Sequence, residues 1–211
     1  MSTGWKLDKN VNLADAGALL VGFIALGFSL FNFWFAVGRK PRLIELPPRQ
    51  VIILSQHYPA RNIDVARFAA NRQYVSERQF GASAVVTEEF LQINLRGERY
   101  GYVWQTIGNF KPDGEALRQE DGRSPTAAVV KAGEAVGHEI FYAAATSEDV
   151  LEWSTFLTSL AQVGEMDLEF VAVVHGQQAI THSCRVTATP ALIKVLETRM
   201  WAAPPCVASD H

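Results

Sequence analysis

Cysteine is scarce in this sequence of 211 residues, which contains only Cys184 and Cys206. So low a number excludes a disulfide-rich scaffold, and the pair fits either two free thiols or one disulfide. The motifs of several enzyme classes are also missing, namely Gly-x-Ser-x-Gly, the P-loop, Gly-x-Gly-x-x-Gly, His-Glu-x-x-His and Cys-x-x-Cys. Their absence excludes only the enzymes that need them. We predict no catalytic residue and no cofactor.

Charge is absent from one long stretch, residues 16–38, which reads AGALLVGFIALGFSLFNFWFAVG. At about 1.5 Å per helical residue, such a run spans the roughly 30 Å hydrocarbon core of a bilayer. It exceeds the apolar core of a signal peptide, about 7–15 residues, and no small-x-small cleavage site follows it. We therefore predict a short N-terminal segment over residues 1–15 and an uncleaved transmembrane helix over residues 16–38.

The basic residues beside the predicted helix indicate its orientation. Lys6 and Lys9 precede it, and a larger set follows it: Arg39, Lys40, Arg42 and Arg49. Because Lys and Arg are enriched on the cytoplasmic side, this count favours an outside N-terminus and a cytoplasmic C-terminal domain. The same four residues are predicted to lie at the membrane surface. The opposite orientation is the alternative.

One face of the predicted helix carries small or polar side chains. Its members are spaced alternately four and three residues apart: Ala18, Gly22, Ala25, Ser29, Asn32 and Ala36. This spacing is typical of a left-handed coiled-coil seam, and small residues allow two helices to approach closely in a bilayer. The amide of Asn32 would find its hydrogen-bond partner on a second helix. We predict that this face packs against another membrane protein or a second copy of the chain.

The remainder of the chain has the pattern of a mainly β domain. Residues 39–49 are predicted to be a basic, proline-containing connector, residues 50–201 the folded domain, and residues 202–211 a loose tail. Apolar and polar residues alternate in about eight segments, and a tight link at Gly97 predicts a hairpin. The expected fold is an antiparallel β-sandwich, with an immunoglobulin-like arrangement as one option.

Two short helices and one polar loop are expected within this domain. The sequence TSED at residues 146–149 resembles a capping box and predicts a helix that stops at Gly164. Thr189 followed by Pro190 predicts the start of a second helix, which extends to Trp201. Residues 111–125 are predicted to form an acidic loop that offers a surface to a partner.

Three side chains near one predicted hairpin are weak candidates for a metal site: His175, His182 and Cys184. Nitrogen and sulfur ligands of this kind hold zinc, but a fourth ligand is missing nearby. His182 and Cys184 also alternate with apolar residues, which is typical of an inward face, so no metal is predicted. The Glu88–Glu89 doublet is interpreted as a pair of solvated carboxylates.

Charge is unevenly divided, with ten Lys and Arg against six Asp and Glu over residues 39–99, and seven against fourteen over residues 100–211. The net charge of −3 and the lack of a recognition helix do not favour nucleic-acid binding. The favoured function is a membrane-anchored, non-enzymatic interaction module that serves as a scaffold or adaptor. The alternative is an accessory subunit of a larger integral-membrane complex. A membrane-tethered enzyme or metal protein is favoured least.

Overall fold

The computed structural model describes residues 13–37, 42–77, 83–113 and 116–209. The first helix, α1 (Leu13–Val37), belongs to one unit of the chain, and the strands and the other helices belong to a second. Helices α2 (Trp153–Val163) and α3 (Pro190–Arg199) lie in this second unit. Its strands are β1 (Leu43–Leu46), β2 (Val51–Tyr58), β3 (Ile63–Ser76), β4 (Ala84–Leu95), β5 (Glu98–Asp113), β6 (Ala116–Arg123), β7 (Ala128–Val130), β8 (Ala135–Ala144), β9 (Glu165–Val174), β10 (Ile180–Thr187), β11 (Trp201–Ala202) and β12 (Val207–Ala208).

Helix α1 corresponds to the uncharged run of the sequence. The side chains of residues 17–34 are all exposed, as expected where none of them packs into a protein core. The segment Gly17–Trp34 is long and apolar enough to cross a membrane. The structure thus supplies one N-terminal helix with the dimensions of a membrane span.

In the part of the second unit that the structure describes, a single antiparallel sheet of twelve strands forms the framework. Its main path runs β11-β2-β3-β8-β5-β4-β9-β10-β12, while β1, β6 and β7 pair with β3, β5 and β4 respectively. Long strands change partners along their length, so that β3 pairs with β2 through its first half and with β1 through its last four residues. The mainly β, antiparallel prediction is confirmed. The β-sandwich and the immunoglobulin-like option are not confirmed, because the strands form one curled sheet.

The C-terminal segment joins the two ends of this sheet. Its first part pairs with β2 through Trp201 and Ala202, and its last part pairs with β10 through Val207 and Ala208. Between them, the N–H of Cys206 donates to the carbonyl of Arg49 at 2.9 Å. The segment thus lies between β2 and β10 and closes the curl. Residues 202–211, predicted to be loose, contain this closing segment.

The main apolar core fills the concave side of the sheet and is covered by α2. Phe68, Tyr102 and Phe156 are its aromatic centre, with ring centroids of Phe68 lying 5.1 Å from Tyr102 and 5.9 Å from Phe156. Leu196 of α3 is fully buried in the same cluster. Edge-to-face contacts of this kind add roughly 0.5–1.5 kcal/mol each to the burial of apolar area.

The two helices of this unit agree with the sequence at three of their four ends. Helix α2 ends at Val163 and is capped by Gly164, whose φ of +79° is the left-handed conformation that favours glycine. Helix α3 begins as predicted, with Thr189 accepting a hydrogen bond from the N–H of Leu192 at 3.2 Å. It ends at Arg199, within two residues of the predicted end.

The start of α2 was predicted wrongly, because the helix begins at Trp153 rather than after the TSED sequence. Asp149 accepts hydrogen bonds from Thr146, through Oγ1 at 2.6 Å, and from the N–H of Gly101 at 2.7 Å. The carboxylate therefore fastens a turn to β5 instead of capping a helix.

The polar segment at residues 111–125 is also not a loop. Strands β5 and β6 form a hairpin there, with Lys111 and Glu120 joined by an ion pair of 2.6 Å. By contrast, the β4–β5 hairpin is confirmed, with Arg96 and Gly97 in its turn at positive φ values of 58° and 79°. The predicted connector, residues 39–49, includes strand β1.

Candidate functional site

A group of ionic side chains lies inside the curled sheet. This ionic cluster consists of Glu45 on β1, Arg72 on β3, Glu89 on β4 and His138 on β8. Each of the first three has exposed or half-buried residues on either side of it in the strand and a buried residue two positions away, so the two-residue period of a strand directs it inward. The side chains of Glu45, Arg72 and Glu89 have no exposed area. Four strands that are distant in sequence therefore meet at one charged centre.

Arg72 occupies the middle of the ionic cluster. Its Nε lies 2.5 Å from Oε1 of Glu45 and 3.3 Å from Oε2 of Glu89. The guanidinium carbon also lies 4.9 Å from the centre of the Phe170 ring, a cation–π distance. On the far side, Oε1 of Glu89 is 3.2 Å from Nε2 of His138. One arginine thus faces two carboxylates, and one carboxylate faces both a guanidinium and an imidazole.

Burial controls the protonation of these groups. It raises the pKa of Glu45 to about 7, although the charge of Arg72 acts in the opposite direction. Burial would lower the pKa of Arg72, but the surrounding acidic groups, Tyr142 and Glu89 foremost, raise it. The hydroxyl of Tyr142 donates to Oε2 of Glu89 at 3.4 Å, and burial raises the pKa of Tyr142. A proton on Glu45 would leave Arg72 and Glu89 as a neutral pair.

The geometry of the ionic cluster fits a structural role in the sheet rather than a role in catalysis. A substrate in solution has no access to side chains with zero exposed area, whereas the contacts join β1, β3, β4 and β8 across the interior. Removing one partner of such a pair leaves an uncompensated buried charge, which typically costs about 3–5 kcal/mol.

The residues suggested for a metal have other contacts. Cys184 is bonded to Cys206, so its sulfur is not available as a thiolate ligand. His182 is half-buried, and burial together with the Arg72 charge lowers its pKa. His175 is exposed in the turn between β9 and β10. Among the described residues, no group of three or more His, Cys, Asp and Glu side chains is arranged to hold a metal ion.

The two cysteines form one disulfide rather than two free thiols, the two states that the sequence left open. Cys184 lies on β10 and Cys206 lies in the closing C-terminal segment, with their Cα atoms 5.4 Å apart. This separation lies within the roughly 4.4–6.8 Å range of disulfides. The bond fastens the closing segment to the last long strand of the sheet.

A groove of about 730 Å³ lies on the face of β3 opposite Arg72. Its wall follows the link between β1 and β2, residues 46–50, and its floor includes Ile52, Asn71, Gln73 and Glu139. Gln73 and Asn71 are exposed, and Leu46 retains 45% of its surface, so the groove is open to a partner. It combines apolar contacts with amide groups that donate and accept hydrogen bonds.

The groove adjoins an apolar patch that is already covered. Leu54, Ala69 and Phe141 form this patch, and Phe110 of the β5–β6 hairpin packs on it with its ring 5.7 Å from that of Phe141. Glu139 fixes the hairpin by accepting the N–H of Phe110 at 2.7 Å, and burial raises the pKa of Glu139. Ile52 packs against the patch and also lines the groove. The groove thus begins where the patch ends.

The predicted helix-packing and membrane-surface residues divide between described and undescribed parts of the chain. On α1, the side chains that are described are all exposed: Ala18, Gly22, Ala25, Ser29 and Asn32. Arg39, Lys40 and the side chain of Ala36 lie outside the described residues. Arg42 pairs with Glu77 at 3.0 Å, and Arg49 is exposed beside the closing segment.

The ladder of Tyr100, Tyr102 and Trp104 on β5 is used for packing. Tyr102 retains 1% of its surface in the core, and Tyr100 and Trp104 pack partly buried against it. Burial raises the pKa of Tyr100 to about 12, and its hydroxyl donates to Glu98 at 2.5 Å. The aromatic side chains therefore extend the core.

The ionic cluster was missed from the sequence, and the interpretation of Glu89 as a solvated carboxylate was wrong. A signal was present, because Glu89 shares its strand face with Leu91 and Ile93. That alternation places a carboxylate inside, where it needs a cation. Nothing local indicated that Arg72 would supply the cation.

Comparisons with known proteins give no family for this chain. It matches no family model and no curated protein. A crystal structure of a protein from Archaeoglobus fulgidus aligns with 72% of this chain and 97% of its own, at 9% sequence identity and a TM-score of 0.32. At this score the likeness supports no inference about fold or function. Any inference about function therefore has to come from the residues of this chain.

Proposed function

We propose that this chain is a single-pass membrane protein whose β domain binds a partner protein and performs no catalysis. Helix α1 would anchor it in the bilayer, and the groove beside β3 would hold a segment of the partner. It would act as a scaffold or adaptor at the membrane. No nucleic acid or cofactor is part of this proposal.

The groove is the observation that carries the proposal. Leu46 and Ile52 offer apolar contacts, while Asn71 and Gln73 offer amide groups at the same opening. Protein segments of mixed apolar and polar character are recognised by such surfaces, since the apolar contacts supply affinity and the amides fix the register. The ionic cluster supports the non-enzymatic part, because its carboxylates are shielded from solvent.

Site-specific photo-crosslinking of the full-length chain in its membrane tests this proposal. A photoreactive amino acid at Gln73 or Gln50 should yield a crosslink to one protein of discrete mass. The same amino acid at Arg96, an exposed residue in the β4–β5 turn, is the matched control and should not yield that product. Equal products from Gln73 and Arg96 would show that the groove is not the binding surface.

The alternative function, an accessory subunit of a larger membrane complex, is favoured by one feature of α1. Asn32 lies in the apolar stretch Gly17–Trp34, where no water would satisfy its amide inside a bilayer. A neighbouring helix would accept that hydrogen bond, which is worth about 1 kcal/mol. Asn32→Leu and Gly22→Leu should then reduce co-purification of the complex in mild detergent. Phe23→Leu, which lies on the other side of the helix, should have no effect, and unchanged assembly in all three variants would contradict this function.

A further inference from the structure

We propose that the β domain lies on the side of the membrane away from the cytoplasm, where the Cys184–Cys206 disulfide locks the closing C-terminal segment in place. This placement rests on the proposed membrane anchoring by α1. It reverses the orientation predicted from the flanking charges. Three observations support it: the position of the disulfide, the chemistry of its formation and the length of the chain that follows the helix.

The disulfide stands at the point where the sheet closes. Among the described residues, the closing segment pairs with β10 only through Val207 and Ala208, with one further hydrogen bond from the N–H of Ser209 to the carbonyl of Ser183 at 3.3 Å. The short pairing alone gives few hydrogen bonds, so the covalent link from Cys206 to Cys184 is the strongest tie between this segment and β10. A reduced chain would hold that edge of the sheet weakly.

Formation of the bond needs an oxidising environment. The thiols of Cys184 and Cys206 lose two protons and two electrons as the S–S bond forms, and a disulfide-bearing oxidant protein is reduced to its dithiol in the exchange. Cys206 is partly exposed and Cys184 is 2% exposed, so Cys206 is the sulfur that such an oxidant reaches first. Thiol-reducing systems keep cysteines reduced in the cytoplasm, whereas disulfides persist in extracytoplasmic compartments.

The flanking charges are compatible with this placement. Lys and Arg residues orient a span mainly when they lie in short segments, because long domains cross the membrane largely regardless of their charge. Lys6 and Lys9 lie within seven residues of the start of α1, whereas the residues after α1 form a folded domain of about 170 residues. Counted in this way, the two N-terminal lysines favour an N-terminus in the cytoplasm.

The test uses the chain expressed in bacterial cells. It determines separately on which side of the membrane the domain lies and whether Cys184 and Cys206 are oxidised. Thr126→Cys places a thiol at an exposed position of the domain, and Thr3→Cys places one in the N-terminal segment. A membrane-impermeant maleimide should label Thr126→Cys in intact spheroplasts and Thr3→Cys only in inverted vesicles. The reverse pattern would overturn the proposal.

The thiol state is read from the unaltered chain after acid quenching. Free thiols are blocked, the protein is reduced, and a polyethylene-glycol maleimide is added; two adducts are expected after reduction and none without it. No adduct after reduction would show that both thiols were free and became blocked at the quench, and this result would also overturn the proposal. Carbonate extraction of the same membranes tests the anchoring by α1 separately from the placement of the β domain. Release of the chain by carbonate would refute the anchor, whichever cysteine the maleimide labels.

Discussion

Replacing Arg72 with methionine removes the only cation that contacts both Glu45 and Glu89 within the described ionic cluster. Both carboxylates then lie in a site with no exposed area. Loss of one partner of a buried ion pair costs about 3–5 kcal/mol, so a loss in this range is expected at pH 8. For a domain of this size, 1 kcal/mol corresponds to about 2–4 °C, and the midpoint of thermal unfolding should fall by about 10 °C.

The loss should depend on pH. The charge of Arg72 holds down the pKa of Glu45, which burial raises, so removal of that charge raises the pKa further. An acid with a raised folded-state pKa favours the folded state when it is protonated, and that contribution is lost as pH rises through the folded pKa. The Arg72→Met variant should therefore lose much less stability at pH 5 than at pH 8.

Arg185→Met is the matched control. Arg185 also contacts two carboxylates, Asp167 at 2.7 Å and Glu165 at 3.2 Å, but its side chain is 40% exposed. Exposed pairs contribute about 0–1 kcal/mol, so this variant should be nearly as stable as the native chain. Unfolding would be followed by tryptophan fluorescence of the full chain in detergent. Equal losses for the two variants, or a loss at Arg72 that does not change with pH, would refute the reasoning.

Three further predictions concern the β domain. In the native chain, burial raises the pKa of Glu45 to about 7, so stability should decline as the pH rises from about 5 to 8, and Glu45→Gln should flatten that profile in the same unfolding assay. Cys206→Ser should lower the unfolding free energy by about 3 kcal/mol, the chain-entropy value for a loop of this length, and dithiothreitol should have the same effect on the native chain but none on the variant. Gly108→Ala should loosen the β5–β6 hairpin and cost about 1–3 kcal/mol, because its Cβ would lie 2.8 Å from the carbonyl oxygen of Glu120. The control is Gly101→Ala on the same strand, whose Cβ would lie 3.4 Å from Oδ1 of Asp149, an ordinary contact distance. Faster proteolysis of the hairpin in Gly108→Ala alone is the expected result.

Local signals predicted the parts of this structure that depend on neighbouring residues. The uncharged run gave the α1 helix, the turn at Gly97 gave a hairpin, and Thr189 with Pro190 gave the start of α3. Each of these features is determined within a few residues of sequence. The TSED sequence misled because Asp149 accepts hydrogen bonds both from Thr146 and from the distant N–H of Gly101, and together these hold a turn rather than a helix.

Features that join distant strands were not accessible from the sequence. The closing segment pairs with β2, about 150 residues earlier, through the two-residue strand β11 and with β10 through the two-residue strand β12, and strands this short carry no alternating sequence pattern. The ionic cluster likewise unites four strands, and charged residues are usually solvated. Its one local signal, the position of Glu89 on the same strand face as Leu91, indicated that Glu89 is buried but not which cation it contacts.

Recovery of a partner with groove variants tests the account most directly. The native chain, Gln73→Trp and Arg96→Trp would be isolated from membranes in mild detergent, and the bound protein quantified by mass spectrometry. Tryptophan at Gln73 would place a bulky side chain in the groove, so the account predicts that a stoichiometric partner of the native chain is lost in Gln73→Trp and retained in Arg96→Trp. The same recovery from all three chains, or the absence of any partner from the native chain, would contradict it.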